Sequence, residues 1–326
     1  MKKKFGGTKV LTAVLMDITE AIKGTEKDFT SLPMRKALFL LALPMVLEMA
    51  MESVFAIADI FFVSSIGSEA VAIVGITESL MTVIYAIAGG LAIGTNALVA
   101  RRIGEQRTEE AGKVAVHAIL SAVIVSFAIG IPGFVYAENI LHLIGASYSS
   151  IQDGKNYTSL MLGANIVISL LFVLNAVFRG AGNAAIAMRI LLFANLFNII
   201  LDPCLIYGLG PFPEMGIKGA AIATITGRGL AVILQFFYLF GNKSRVLIML
   251  RKLQFEREIF IGIVKLSLGG IAQNIIATSS WIFLVSLITS FGDETIAGYT
   301  IALRVIIFAR LPSWGLSNAD SFLVGQ

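Results

Sequence analysis

Polar breaks divide the chain into long apolar runs, and a run of about 20 mainly apolar residues is the length that crosses a bilayer as a helix. Eight such runs begin near Ala37, Ala70, Val114, Tyr157, Ala184, Gly219, Ile259 and Thr295. The pattern predicts an all-α integral membrane protein. Before the first run, residues 1–36 are polar and carry eight Lys or Arg. The run that follows is too long for a signal-peptide core, so the pattern predicts a cytoplasmic leader and a retained first helix. Lys243–Glu258 is basic and amphipathic and too charged to span. It is expected to lie along the inner interface as a connector.

A weak internal repeat organises these runs. Ser65–Ile76 matches Ser290–Ile301 at Gly67/Gly292, Glu69/Glu294, Ala72/Ala297 and Ile76/Ile301. Six spans separate the two copies, and an even number keeps them in the same orientation, as parallel repeats about an axis along the membrane normal. The division expected is a leader over 1–36, a six-helix lobe over 37–242, the connector over 243–258, and the start of a second lobe over 259–326. The second copy stops in what should be the inner end of span eight, so the expectation is a fragment or a truncated product.

Composition narrows the function. The chain is 57% hydrophobic and 14% charged, against about 25% charged in a soluble domain. That excludes a soluble enzyme, a nucleic-acid binder and a disordered scaffold. Cys204 stands alone, so no intrachain disulfide forms. No phosphate loop, nucleophile elbow or paired-cysteine spacing occurs, and His117 and His142 lack neighbours that would build a metal site. No enzyme, no metal and no cofactor is expected.

The distribution of basic residues predicts the orientation. With the N-terminus inside, the leader, Arg101–Lys113, Arg179–Arg189 and Lys243–Lys265 hold 20 of the 25 Lys and Arg, and the opposite loops hold two, Lys155 and Lys218. This is the bias of a multi-pass protein with a cytoplasmic N-terminus, expected in a bacterial-type plasma membrane.

Ionisable groups inside spans are costly and mark function. In span one, Glu48, Glu52 and Asp59 fall within a 40° arc at 100° per residue, so three carboxylates share one face. In span five, Asn195, Asn198 and Asp202 share another narrow arc. Asp59 and Asp202 lie at similar depth near the outer ends of their helices. If spans one and five are neighbours, these carboxylates and Asn198 form one site suited to taking and releasing a proton. Asp202, followed by Pro203, also reads as a helix-end residue. Asn175 with Arg179, Glu78, and Thr224 with Arg228 are weaker candidates, each equally suited to an interhelical hydrogen bond. Gly90-x-x-x-Gly94 reads as a close-packing motif, and Asn156-Tyr157-Thr158 fits a glycosylation sequon in an outer loop.

Leu41-Ala42-Leu43-Pro44, Ala58-Asp59-Ile60-Phe61-Phe62-Val63 and Ile66-Gly67 resemble the first helix of the MATE (multidrug and toxic compound extrusion) transporters. Arg179-Gly180-Ala181-Gly182-Asn183 resembles the loop after their fourth helix. Asn198–Pro203, Gly208–Pro211 and Gly216–Thr224 resemble their fifth and sixth helices, and Leu323–Gln326 resembles the end of helix eight. The resemblance implies a MATE-like bundle of two six-helix lobes, of which the chain holds one lobe and two helices of the second, eight of twelve spans. It implies cation-coupled efflux of amphipathic organic cations and drugs, with a proton favoured over sodium. By that resemblance Asp59 is the protonatable residue, Asn198 and Asp202 are its partners, and Asn175 and Thr224 line the pocket. Ile259–Ser290 contains no acid, and Gln273 and Asn274 are its nearest polar groups, a departure from the branch that couples sodium through helix seven. Glu48, Glu52 and Asn195 are further pocket candidates, the two glutamates having no family counterpart.

Two other readings compete. A flippase of the same superfamily would move lipid or lipid-linked saccharide, but a large anion calls for several basic residues in the cavity. Only Arg228, Arg304 and Arg310 lie within spans, against five acids in spans one, two and five. A non-transporting scaffold or receptor would not need facing buried carboxylates. The partners expected are small organic cations and membrane lipids, with no nucleic acid and no obligate protein partner.

Overall fold

The computed structural model describes residues 15–24, 32–144, 148–241, 246, 248, 255–289, 313, 315–317, 319–320 and 323–324. A short helix α1 over 15–23 precedes α2 (Met34–Ser64), α3 (Ser68–Gly104), α4 (Thr108–Val135), α5 (Ala137–Ile144), α6 (Tyr148–Gly163), α7 (Asn165–Gly180), α8 (Ala184–Tyr207), α9 (Ile217–Phe240) and α10 (Arg257–Thr289). Among the described residues there is no strand. Among the described residues, seven segments are long and apolar enough to cross a membrane: Met34–Ser64, Ser68–Gly104, Thr108–Val135, Gly154–Gly180, Ala184–Tyr207, Ile217–Phe240 and Arg257–Ala277. They correspond to the first seven predicted runs. Most of the eighth run from Thr295, the second copy of the repeat and most of the connector lie outside the described residues.

The fourth span differs from a single straight helix. It breaks at Ala164 (φ −87°, ψ 12°) into α6 and α7. Carbonyls freed inside apolar surroundings need a donor. Asn165 supplies it, its Nδ2 donating to Leu162 O at 2.7 Å and to Ser126 O of α4 at 3.2 Å. The sequon also moves: Asn156–Thr158 lies within α6, not in a loop, and the buried Thr158 hydroxyl bonds Thr77 of α3 at 2.8 Å. Pro203 does not end its helix, since α8 runs on to Tyr207, so Asp202 sits inside the helix.

Among the described residues, the two larger apolar clusters of the core lie toward opposite ends of the bundle. One gathers Val99, Val114, Val177, Ile190 and Leu239 toward the α3–α4 turn. The other gathers Val63, Ile73, Met81, Met161 and Ile206 toward the α2–α3 turn. A third, smaller group packs Ala21 of α1 with Leu41, Met45, Ala184 and Ala319. α8 packs on both α9 and α2, and α3 packs on α4, α7 and α10. The α3–α10 seam is glycine-built. A Cβ on Gly90 would come within 2.7 Å of the Ile271 backbone nitrogen, and one on Gly94 within 2.7 Å of Ser267 Oγ. The α3–α4 turn carries Gln106 at φ 59° and an ion-pair network in which Arg102 bridges Glu105 (2.7 Å) and Glu110 (3.1 Å). The end of the connector is pinned to α4 through Lys113–Glu256 (2.5 Å) and through the Glu256 N–H, which donates to His117 Nε2 at 2.8 Å. His117 therefore has a structural role in that junction.

Candidate functional site

Between the two apolar clusters lies a cavity of about 490 Å³, within the size range of small-molecule sites. α2 lines it with Glu48, Glu52, Phe55 and Asp59, and α3 with Glu78 and Tyr85. Asn175 and Arg179 come from α7, and Arg228 comes from α9. The spacing 48–52–59 brings the α2 carboxylates to one wall, because all three fall on the same arc of the helix. A second cavity of about 900 Å³ adjoins it along Tyr85, Ala92, Phe172 and Arg179 and reaches Asn274 of α10.

One end of the site is cross-linked. Glu48 is 5% exposed, and its Oε1 accepts from Asn175 Nδ2 at 3.3 Å and from the Arg179 guanidinium. Asn175 Oδ1 in turn accepts from Gln235 Nε2 of α9 at 2.5 Å. This chain ties α2, α7 and α9 together through groups that are costly to bury singly. One turn on, Glu52 Oε1 accepts from the buried Asn195 Nδ2 of α8 at 3.2 Å. Glu48 and Glu52 are thus partnered wall residues. Asn195 stands behind the wall.

At the other end the polar groups are not partnered. Asp202 and Asn198 are buried on α8 behind the cavity lining. Both carboxylate oxygens of Asp202, both amide atoms of Asn198 and Oδ1 of Asp59 have no hydrogen-bond partner among the described residues. Asp202 lies within reach of the charge of Asp59, as does the buried Tyr157 of α6. Gly227 of α9 lets α8 close in, since a Cβ there would meet Asn198 Cβ at 2.9 Å. Thr224, one turn earlier, is buried and also behind the lining. A buried carboxylate without a donor is open to a proton or a small cation. Among the described residues no group of three His, Cys, Asp or Glu is placed to hold a metal ion.

Two features escaped the sequence reading. Tyr157 was visible only as part of a sequon, and Gln235 was hidden in an apolar run. Arg228 lies 5.7 Å from the centre of the Phe55 ring and faces Tyr85, Glu52 and Glu78. Its position in mid-span already marks it, with Thr224, as a weaker candidate from the sequence; its contact with Phe55 does not follow from the sequence.

Residues 44–204 match the MatE family model. Over 298 residues the chain is 26% identical to the probable multidrug resistance protein NorM of Thermotoga maritima, covering 90% of this chain and 63% of that protein. It is 33% identical over 218 residues to the FAD transporter of Shewanella oneidensis, covering 67% of this chain and 48% of that protein. The chain thus spans about half to two thirds of the length of these relatives. Its fold superposes on a MATE structure solved in complex with MaD5 at a TM-score of 0.83 and 29% identity, covering 94% of this chain and 67% of that one. It also superposes on a MOP superfamily transporter from Pyrococcus furiosus, whose binding pocket is described as reversed in polarity, at a TM-score of 0.80 and 29% identity, covering 92% and 64%. Seven apolar helices, a shared bundle and the matched family region lead to one conclusion: the chain is an integral, multi-pass membrane protein of the MATE family.

Proposed function

We propose that the chain forms the cation-binding lobe of a secondary antiporter that exports amphipathic organic cations in exchange for a proton. The observation that carries this reading is the cavity wall of Glu48, Glu52, Asp59 and Glu78, which offers carboxylates and aromatic faces to a positively charged, partly apolar cargo. Asp59 couples transport by holding either a proton or the cargo's charge, with Asn198 and Asp202 behind it. Two ligands that favour different states of one protein drive each other through that difference. A proton is favoured over sodium because Ile259–Ser290 has no acid. The N-terminus lies on the cytoplasmic side of a bacterial-type plasma membrane, in keeping with the basic-residue bias.

The test is reconstitution into vesicles with an imposed pH gradient or an imposed sodium gradient. The reading requires a fluorescent organic cation to move against the proton flow, and movement under the sodium gradient alone overturns the choice of ion. A second reading is favoured by one observation, Arg228 in the cavity, together with the likeness to the FAD transporter. In that reading an anionic flavin nucleotide is the cargo. Counterflow of FAD and not of the organic cation would establish it.

A further inference from the structure

Arg228 sits midway along α9, one of two basic residues among the described residues that line the acidic cavity. The other, Arg179, is committed to Glu48 by an ion pair. Arg228 is held differently. Among the described residues no carboxylate oxygen comes within 4.0 Å of it. It rests instead on the Phe55 ring, 5.7 Å from its centre, in the shared field of Glu52, Glu78 and Asp59 and beside Tyr85. An arginine is always charged, and its planar guanidinium stacks on aromatic rings. What α2 and α3 present to it is what they would present to a planar organic cation.

We propose that Arg228 is a tethered stand-in for the cargo, a planar cation that occupies the Phe55 face and the acidic wall until a planar, delocalised organic cation displaces it. This inference rests on the cationic reading of the cavity given above. A bidentate ion pair would have to be broken for cargo to enter. A guanidinium held by a ring and a diffuse field of three carboxylates moves aside at smaller cost, its flexible stem remaining on α9. The device sets selectivity. A cargo must out-compete an intramolecular cation at high effective concentration, so small or strongly hydrated cations lose and large planar ones that cover Phe55 win. In the empty cavity Arg228 also answers the acids' charge, which explains a second basic residue beside the four carboxylates of the lining.

The test is equilibrium titration of the purified chain in detergent with ethidium, a planar monovalent cation, followed by its fluorescence. Arg228→Gln removes the competitor and its repulsion, and affinity for ethidium rises about tenfold or more, the scale of one like charge removed at contact distance in a partly buried site. Arg228→Met, which keeps the apolar stem, repeats the measurement with a different side chain should the Gln variant fail to fold. Arg228→Lys keeps the charge but loses the planar face that stacks on Phe55, so its affinity for ethidium falls between that of the parent and that of Arg228→Gln. Variants are compared only as monodisperse species with thermal midpoints near that of the parent. Unchanged or weaker ethidium binding in the neutral variants, with the parent binding ethidium, overturns this inference and leaves the cationic reading in place. If neither the parent nor the variants bind ethidium, both fall.

Discussion

The Arg179 guanidinium of α7 donates to the Glu48 carboxylate of α2, and this ion pair anchors the buried chain that runs on through Asn175 to Gln235 of α9. Two charges are thereby neutralised inside a membrane-spanning bundle, where an unpaired one is expensive.

Breaking that pair from one side should cost more than removing both charges. Arg179→Ala leaves Glu48 buried without its cation and is expected to destabilise the protein by about 3–5 kcal/mol. Glu48→Gln combined with Arg179→Gln keeps hydrogen-bonding groups without charge and should cost less than Arg179→Ala alone. Thermal unfolding of the three proteins in one detergent reads the difference. Equal losses would show that the pair contributes by packing alone.

Backbone contact in the α3–α10 seam makes a second expectation. Gly90→Ala places a methyl against Ile271 and Ser267 backbone atoms and should destabilise by about 1–3 kcal/mol. Gly75→Ala, with open space around its Cβ, should be neutral or stabilising by up to about 1 kcal/mol through helix propensity. Both are single-methyl changes in the same helix, so opposite signs in a thermal-shift assay isolate the seam.

The broken fourth span depends on Asn165. Asn165→Leu removes the donor that serves Leu162 O at the break and also reaches Ser126 O of α4, at a cost of about 1–3 kcal/mol for the buried carbonyl left without it. Hydrogen exchange at the α6–α7 junction should rise in that variant while α8 and α9 keep their protection. A uniform rise across the bundle would show that the junction is no local feature.

Orientation is testable with single cysteines in a Cys204→Ala background. Gln106→Cys, in the exposed α3–α4 turn, should react with an impermeant maleimide only from the cytoplasmic side. Leu209→Cys, in the exposed α8–α9 turn, should react only from outside. Reversed labelling would overturn the orientation read from Lys and Arg counts.

Much of this arrangement was legible from local pattern. The α2 carboxylates at 48, 52 and 59 and the α8 polar arc at 195, 198 and 202 follow from helical period alone, and so did the apolar lengths of seven spans. What the period cannot show is which helix stands opposite. That Glu48 meets Arg179 and Glu52 meets Asn195 depends on helix packing across more than a hundred residues of chain. It turned two acids without a family counterpart into partnered wall residues. The same blindness hid Phe55 beneath Arg228 and Tyr157 within the field of Asp59. The break at Ala164 was invisible for another reason. Its support is one side-chain amide donating to two carbonyls, and an Asn within an apolar run carries no unique local meaning.

The central claim is that proton and organic cation compete at Asp59, and proton release on cation binding tests it most directly. Binding of ethidium to the purified chain in weakly buffered solution should liberate protons in proportion to the cation bound, as linkage requires when two ligands exclude one another. Asp59→Asn keeps the shape of the side chain but cannot exchange a proton, so it should still fold, bind ethidium more weakly and release few or no protons. Cation binding with no proton release in the parent, or undiminished release in Asp59→Asn, would contradict the account.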